Sequence, residues 1–184
     1  MTYSFKLICP ITMKYLLALI LLIFTATASA KEAAKKAVEA EDKYPGIEWT
    51  LKNFKGQNIS IKDYKGKPVL LVFWATWCPY CKKLFPGVNR VYEKYKDQGF
   101  TVIAMNVRED GDPAAYMKER GYQFEVALDA DEIGQEYGIR GTPTLAFIST
   151  EGEVLGLGNF SNPDHPALEY FAKEQLGLLD DSAE

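Results

Sequence analysis

Hydrophobic positions run without interruption from Val69 through Leu70, Leu71, Val72 and Phe73 to Trp74. A continuous apolar run, rather than an alternating one, predicts a strand covered on both faces and so the centre of an α/β sheet. Ahead of it, residues 47–51 and 58–61 are short alternating segments separated by Lys55-Gly56-Gln57, which predicts a hairpin. Asp63-Tyr64-Lys65-Gly66 reads as a turn. Behind the run, Leu84, Phe85, Val88, Val91, Tyr92 and Tyr95 recur at helical spacing. They predict a helix that opens at Pro79, where a missing N–H is harmless, is kinked by Pro86 and stops near Gln98-Gly99.

The remaining pattern alternates between the two periods. Residues 100–107 read as a second buried strand, and Asp112-Pro113 opens a helix to about Arg120 that Gly121 ends. A short strand over 124–128 and a short helix over 131–137, closed by Gly138, follow. Residues 144–148 and 154–157 flank the turn Ser149-Thr150-Glu151-Gly152 as an antiparallel hairpin, and 166–176 form a closing helix. The order ββ, then βαβαβα, then ββα predicts an α/β domain with a mixed sheet and helices on both faces.

The N-terminus follows a different rule. Met13 and Lys14 precede an apolar run from Tyr15 to Phe24, and Ala28-Ser29-Ala30 closes it. A positive start, a short apolar core and an A-x-A ending predict a secretory signal peptide over residues 1–30, cleaved after Ala30, and a periplasmic or otherwise exported product. The alternative is an uncleaved membrane anchor formed by residues 15–30, although the strictly apolar stretch is about half the ~20 residues a spanning helix needs. Residues 31–44, rich in Ala, Lys and Glu, read as a flexible tether, residues 45–178 as the folded domain and 179–184 as a tail.

Charge removes two classes of partner. The chain carries 21 basic and 25 acidic residues, and only Lys6 and Lys14 of that total fall in residues 1–30, so the rest is a mildly acidic domain. Nucleic acids and anionic membranes are polyanions and need a basic footprint that this domain lacks.

Export also changes the reading of the cysteines. Cys9 precedes the apolar core and leaves with the leader, so the mature chain keeps only Cys78 and Cys81. Two cysteines separated by Pro79-Tyr80 close almost no loop and make a poor structural staple. They sit where a buried strand gives way to a helix, and a helix N-terminus favours thiolate over thiol. Cys78, at the first turn and the more exposed of the two, is the candidate nucleophile. Cys81, one turn on, is the candidate resolving thiol, and the two would cycle between dithiol and disulfide. Lys82 and Lys83 add positive charge nearby.

Other uses of C-x-x-C fit less well. Structural zinc needs about four ligands, whereas the mature chain offers two Cys and His165. Covalent haem attachment needs His after the second Cys, where Lys82 stands. A Cys–His hydrolase would depend on His165, which reads as a helix-start residue between Asp164 and Pro166. No metal or cofactor is therefore expected.

The segment Phe73-Trp74-Ala75-Thr76-Trp77-Cys78-Pro79-Tyr80-Cys81, with Pro86 following, resembles the active-site strand and helix of the thioredoxin superfamily. Tyr137-Gly138-Ile139-Arg140-Gly141-Thr142-Pro143-Thr144 resembles its second signature, the loop whose proline is cis. The leading hairpin and the additional helix and strand over 112–128 are similar to the exported TlpA-like branch, which includes reductants of cytochrome c maturation. The resemblance covers roughly residues 45–178. It implies a thioredoxin fold with an N-terminal hairpin extension and a central αβ insertion. It further implies a redox disulfide Cys78–Cys81, a cis Pro143 beside it, and Thr142 offering backbone groups to an extended substrate. Trp77, Pro79 and Tyr80 would line the rim.

Two departures accompany the resemblance. Thioredoxins carry a buried Asp six residues before the first Cys, where Val72 stands, and some maturation proteins carry a Glu three residues after the second, where Leu84 stands. Water or another acid, with Glu125 and Asp129 as candidates, must then take the proton of the resolving thiol. The expected activity is reduction of disulfides in exported proteins, with recharging by a membrane electron donor. The alternatives are an oxidase or isomerase for secreted proteins and, in another class, a copper-delivery module using both thiols as soft ligands.

Overall fold

The computed structural model describes residues 46–179. The leader over 1–30, the tether over 31–44, Cys9 and the tail after Leu179 lie outside the described residues. Strand β1 (Thr50–Lys52) pairs antiparallel with β2 (Asn58–Ser60) in a two-stranded sheet of its own. A five-stranded sheet follows, built from β3 (Val69–Trp74), β4 (Thr101–Asn106), β5 (Glu125–Ala127), β6 (Thr144–Ile148) and β7 (Val154–Gly158). Its order is β5-β4-β3-β6-β7. The β3–β4 and β4–β5 pairs are parallel, and the β3–β6 and β6–β7 pairs are antiparallel. This is the mixed sheet expected, with β3 at its centre.

All six residues of β3 are buried, and they divide between two apolar layers as strand alternation requires. Leu70, Val72 and Trp74 share a cluster with Leu84, Phe85 and Val88 of α1 (Pro79–Tyr95) and Leu168 and Phe171 of α4 (Pro166–Gln175). Val69, Leu71 and Phe73 face the opposite way, toward Trp49, Ile59, Ala130 and Tyr137. The helices α2 (Pro113–Arg120) and α3 (Asp131–Glu136) complete the chain order.

Element ends differ from the sequence expectation by one to three residues. Ile47, Trp49 and Leu51 do alternate inward, but ladder bonding begins only at Thr50. Ile61 enters a 3-10 turn over Ile61–Tyr64 capped by the Ser60 side chain. Helix α1 keeps Pro86 inside it and hands over to a 3-10 turn at Lys96–Gln98. Gly99 ends that turn at φ 103°, a left-handed conformation that glycine adopts without steric cost. Among the described residues no helix is long and apolar enough to cross a membrane.

Candidate active site

The site lies at the C-terminal end of β3, beside β6 on one side and β4 on the other. Ligands of open α/β sheets gather at this end of the strands, where neighbouring connections diverge. Cys78 has extended backbone angles and occupies the N-cap of α1, with Pro79 at the first helical position. Its sulfur accepts a hydrogen bond from the Cys81 amide N–H at 3.1 Å. It therefore takes the place that a Ser, Thr or Asp oxygen fills at most helix starts. The two cysteines form a disulfide with their Cα atoms 5.3 Å apart. Were this sulfur a thiolate in the reduced protein, the amide would donate to an anion, a stronger bond than a neutral one.

The sheet brings the two sequence motifs together. Cys78 Sγ lies 3.4 Å from the Thr142 carbonyl oxygen, and the Thr142–Pro143 peptide bond is cis. Pro143 is buried and Thr142 half-buried, while Pro79 is exposed. Trp77 and Tyr80 are 46% and 62% exposed and flank the pair, whereas Trp74 is buried among Phe85 and Tyr116. Both exposed rings are next to a cysteine in sequence, Trp77 before Cys78 and Tyr80 before Cys81.

The expected difference in exposure is small. Cys78 retains 2% exposure and Cys81 none, so in the disulfide both sulfurs are covered. What separates them is chemistry. Cys78 receives an amide hydrogen bond at a positive helix end. Both cysteines belong to the apolar cluster that also holds Val72 and Leu84, so burial bears on each of them and the cap on Cys78.

The candidate proton acceptors stand elsewhere. Glu125 lies on β5, with all of β4 between it and β3, and accepts from the Asn53 amide at 3.1 Å. Asp129 is an exposed residue of the following loop in a left-handed conformation, φ 53°. Lys82 directs its ammonium over the Tyr116 ring, 5.9 Å from the centroid, on an aromatic that Arg120 also approaches. His165 caps α4, its Nδ1 accepting from the Ala167 amide at 3.3 Å, and stacks on Phe160. Among the described residues no group of three or more His, Cys, Asp or Glu side chains is arranged to hold a metal ion.

One carboxylate near the site escaped the sequence reading. Glu109 follows β4 and accepts from the Thr76 amide at 2.9 Å, the Thr76 hydroxyl, and the Asn106 side-chain amide at 2.6 Å. It also accepts from the amides of Asp110 at 3.1 Å and Gly111 at 2.9 Å. Burial would raise its pKa, but the donors from Thr76, Asn106 and Gly111 together outweigh burial and hold the carboxyl below its ordinary range. Beside it, the Trp77 indole N–H donates to the Arg108 carbonyl at 2.6 Å. The only signal in the sequence is an acid three residues beyond the end of a buried strand.

A family model described as the AhpC/TSA family matches residues 40–156. The chain is 35% identical over 135 residues to the thiol-disulfide oxidoreductase ResA of Bacillus subtilis strain 168, covering 72% of this chain and 72% of that protein. It is 38% identical over 109 residues to the ResA of Bacillus thuringiensis subsp. konkukian, covering 58% of this chain and 63% of that protein. Among solved structures it resembles a putative thiol:disulfide interchange protein DsbE from Chlorobium tepidum. The TM-score is 0.65 at 32% identity, over 74% of this chain and 99% of the other.

Proposed function

The chain belongs to the AhpC/TSA family of the thioredoxin superfamily and is a thiol–disulfide oxidoreductase, and we propose that it reduces disulfides of exported proteins through Cys78 and Cys81. The observation that carries this reading is the Cys81 amide hydrogen bond onto the Cys78 sulfur, at the first turn of α1 and within reach of the Thr142 backbone. Burial in the shared apolar cluster disfavours an anion at either sulfur, and the cap and the helix dipole offset that cost at Cys78.

The cycle then follows. The Cys78 thiolate attacks one sulfur of a substrate disulfide, a mixed disulfide forms, and the other substrate sulfur departs as a thiolate. The Cys81 thiol loses its proton and attacks Cys78 Sγ, which releases the second substrate sulfur and leaves the Cys78–Cys81 disulfide. Two electrons and two protons pass to the substrate, and a membrane electron donor would return them. Thr142 and Pro143 would support an extended substrate segment, with Trp77, Pro79 and Tyr80 at its rim. The signal-like leader supports export, and the hairpin and the α2–β5 insertion support kinship with exported reductants, including those of cytochrome c maturation.

Replacing Cys81 with Ser is expected to trap mixed disulfides at Cys78 in cells that export the protein, visible as adducts that disappear with dithiothreitol. Cys78→Ser is expected to trap none and to lose insulin-reducing activity. Adducts on Cys81 in the Cys78→Ser protein, with activity retained, would reverse the two roles. Tight Cu(I) binding by a reduced protein that cannot reduce insulin would point to copper delivery. Direction is read from the reduction potential of the pair, where about 30 mV corresponds to ~1.4 kcal/mol. A value close to that of thioredoxin supports a reductase, and a strongly oxidising one an oxidase.

A further inference from the structure

Nothing in the cycle above says what holds the turn that presents Cys78. Residues 75–78 join β3 to α1 and carry no ladder bond of their own to β6, whose pairing with β3 ends at Phe73. On the other side β3 pairs with β4 as far as Trp74 opposite Asn106, and Asn106 is buried with its side chain turned onto Glu109. Glu109 in turn receives both the amide and the hydroxyl of Thr76, and the Trp77 indole is tied to Arg108. Arg108 adopts φ 48°, a conformation that costs a residue with a side chain, and its amide donates to Asp131 at 3.0 Å. The fit at this contact is tight: a Cβ on Gly111 would stand 2.5 Å from the Thr76 hydroxyl and 3.3 Å from Glu109 Oε1.

We infer that Glu109 is a positioning residue of the active site, a carboxylate strut that fixes the Thr76–Cys78 turn so that the Cys78 sulfur sits on the helix N-cap. A carboxylate offers about four lone-pair sites, and Glu109 already accepts five hydrogen bonds. It has no vacant site for the proton of Cys81, so it is a strut and not the missing base. All five partners are donors, which an ionised carboxylate matches and an amide does not. A glutamine here would turn an N–H toward donors on one side.

The inference rests on Cys78 being the attacking thiol, and the experiment separates the two claims. The rate of iodoacetamide alkylation of Cys78 is measured against pH in the full chain carrying Cys81→Ser, followed at the Cys78 peptide by mass spectrometry. With the turn intact, the midpoint lies below that of free cysteine, near 8.5. Glu109→Gln is expected to raise it by about one pH unit, because the sulfur leaves the cap. Thr76→Val, which deletes one donor, shifts it in the same direction, and Thr76→Ser, which keeps the hydroxyl, restores the parent curve.

A midpoint that falls in Glu109→Gln would mean the charge acts only through space, repelling the thiolate. An unmoved midpoint would mean a scaffold role without effect on the sulfur. Either overturns the inference while leaving Cys78 as nucleophile. A parent midpoint equal to that of free cysteine sinks the reading of Cys78 itself, and the strut falls with it. Should Glu109→Gln not fold, Thr76→Val decides alone.

Discussion

At its first turn α1 meets the rest of the protein through a sulfur cap, a proline and an apolar cluster; at its last turn it meets α4 through Lys94, Tyr95 and the carboxylate of Glu169. Both junctions use a carboxylate with a lowered pKa, but the donors differ. Glu109 is held largely by backbone amides and short side chains at the turn that leads to Cys78, so its geometry is fixed by the fold. Glu169 is held by a lysine and a tyrosine at a surface where the Lys94 and Glu169 side chains are 55% and 42% exposed. The first arrangement sets the position of an atom that reacts. The second adds a screened attraction between two helices. Similar electrostatics serve chemistry at one end and modest stability at the other.

If the first half of α1 is anchored by packing, the largest effect on stability should come from Phe85. Its ring is wholly buried and lies within about 4.8 to 6.2 Å, centroid to centroid, of Trp74, Tyr116, Tyr122 and Phe124. Phe85→Ala is expected to cost about 3–5 kcal/mol in urea unfolding of the disulfide form. A loss near 1 kcal/mol would show that the cluster collapses around the gap and that the anchor is elsewhere.

Midway along the helix, Gly87 abuts the backbone of Pro163, and a Cβ there would overlap the Pro163 carbonyl oxygen. Arg90 donates to the same carbonyl at 2.9 Å and pairs with Asp164, so the loop before α4 is pressed onto α1. Alanine would gain about 1 kcal/mol of helix propensity, against about 1–3 kcal/mol for forcing the loop away. Gly87→Ala is therefore expected to cost a net ~0–2 kcal/mol. A gain in stability by the same measurement would break the picture of a tight midpoint.

The elements around the cysteines were legible because each carries a local signal: an all-apolar strand, a proline at the helix start, a second proline ahead of β6. Glu109 was not, because Arg108-Glu109-Asp110-Gly111-Asp112 reads as a solvated loop. Only the parallel register of β3 and β4, which sets Trp74 opposite Asn106, carries it to Thr76. The same blindness to strand order made Glu125 a candidate proton acceptor. Nothing in residues 124–128 says that their strand lies at the sheet edge, two strands from β3. Trp49 shows a milder form of this limit. Alternation told which side chains turn inward, while the strand pairing itself began only at Thr50.

The smallest effect belongs to the far end of α1 and has a definite sign. Hydrogen bonds from Lys94 and Tyr95 draw the Glu169 carboxyl down to about 2. A depressed folded pKa stabilises above the unfolded value, about 4.3, and that contribution fades as pH falls toward 2. Solvent and salt screen a pair this exposed, so it adds less stability than a buried one. The expected cost of Glu169→Gln at pH 7 is therefore within ~0–1 kcal/mol. The difference from the parent should shrink on acidification from pH 5 to pH 2.5, and at pH 7 in 1 M NaCl, where the Debye length is ~3 Å. Urea midpoints of the two proteins across that grid provide the test. A gap that widens in acid would mean that Glu169 is held by something other than its charge, and the contrast between the two ends of α1 would lose its electrostatic basis.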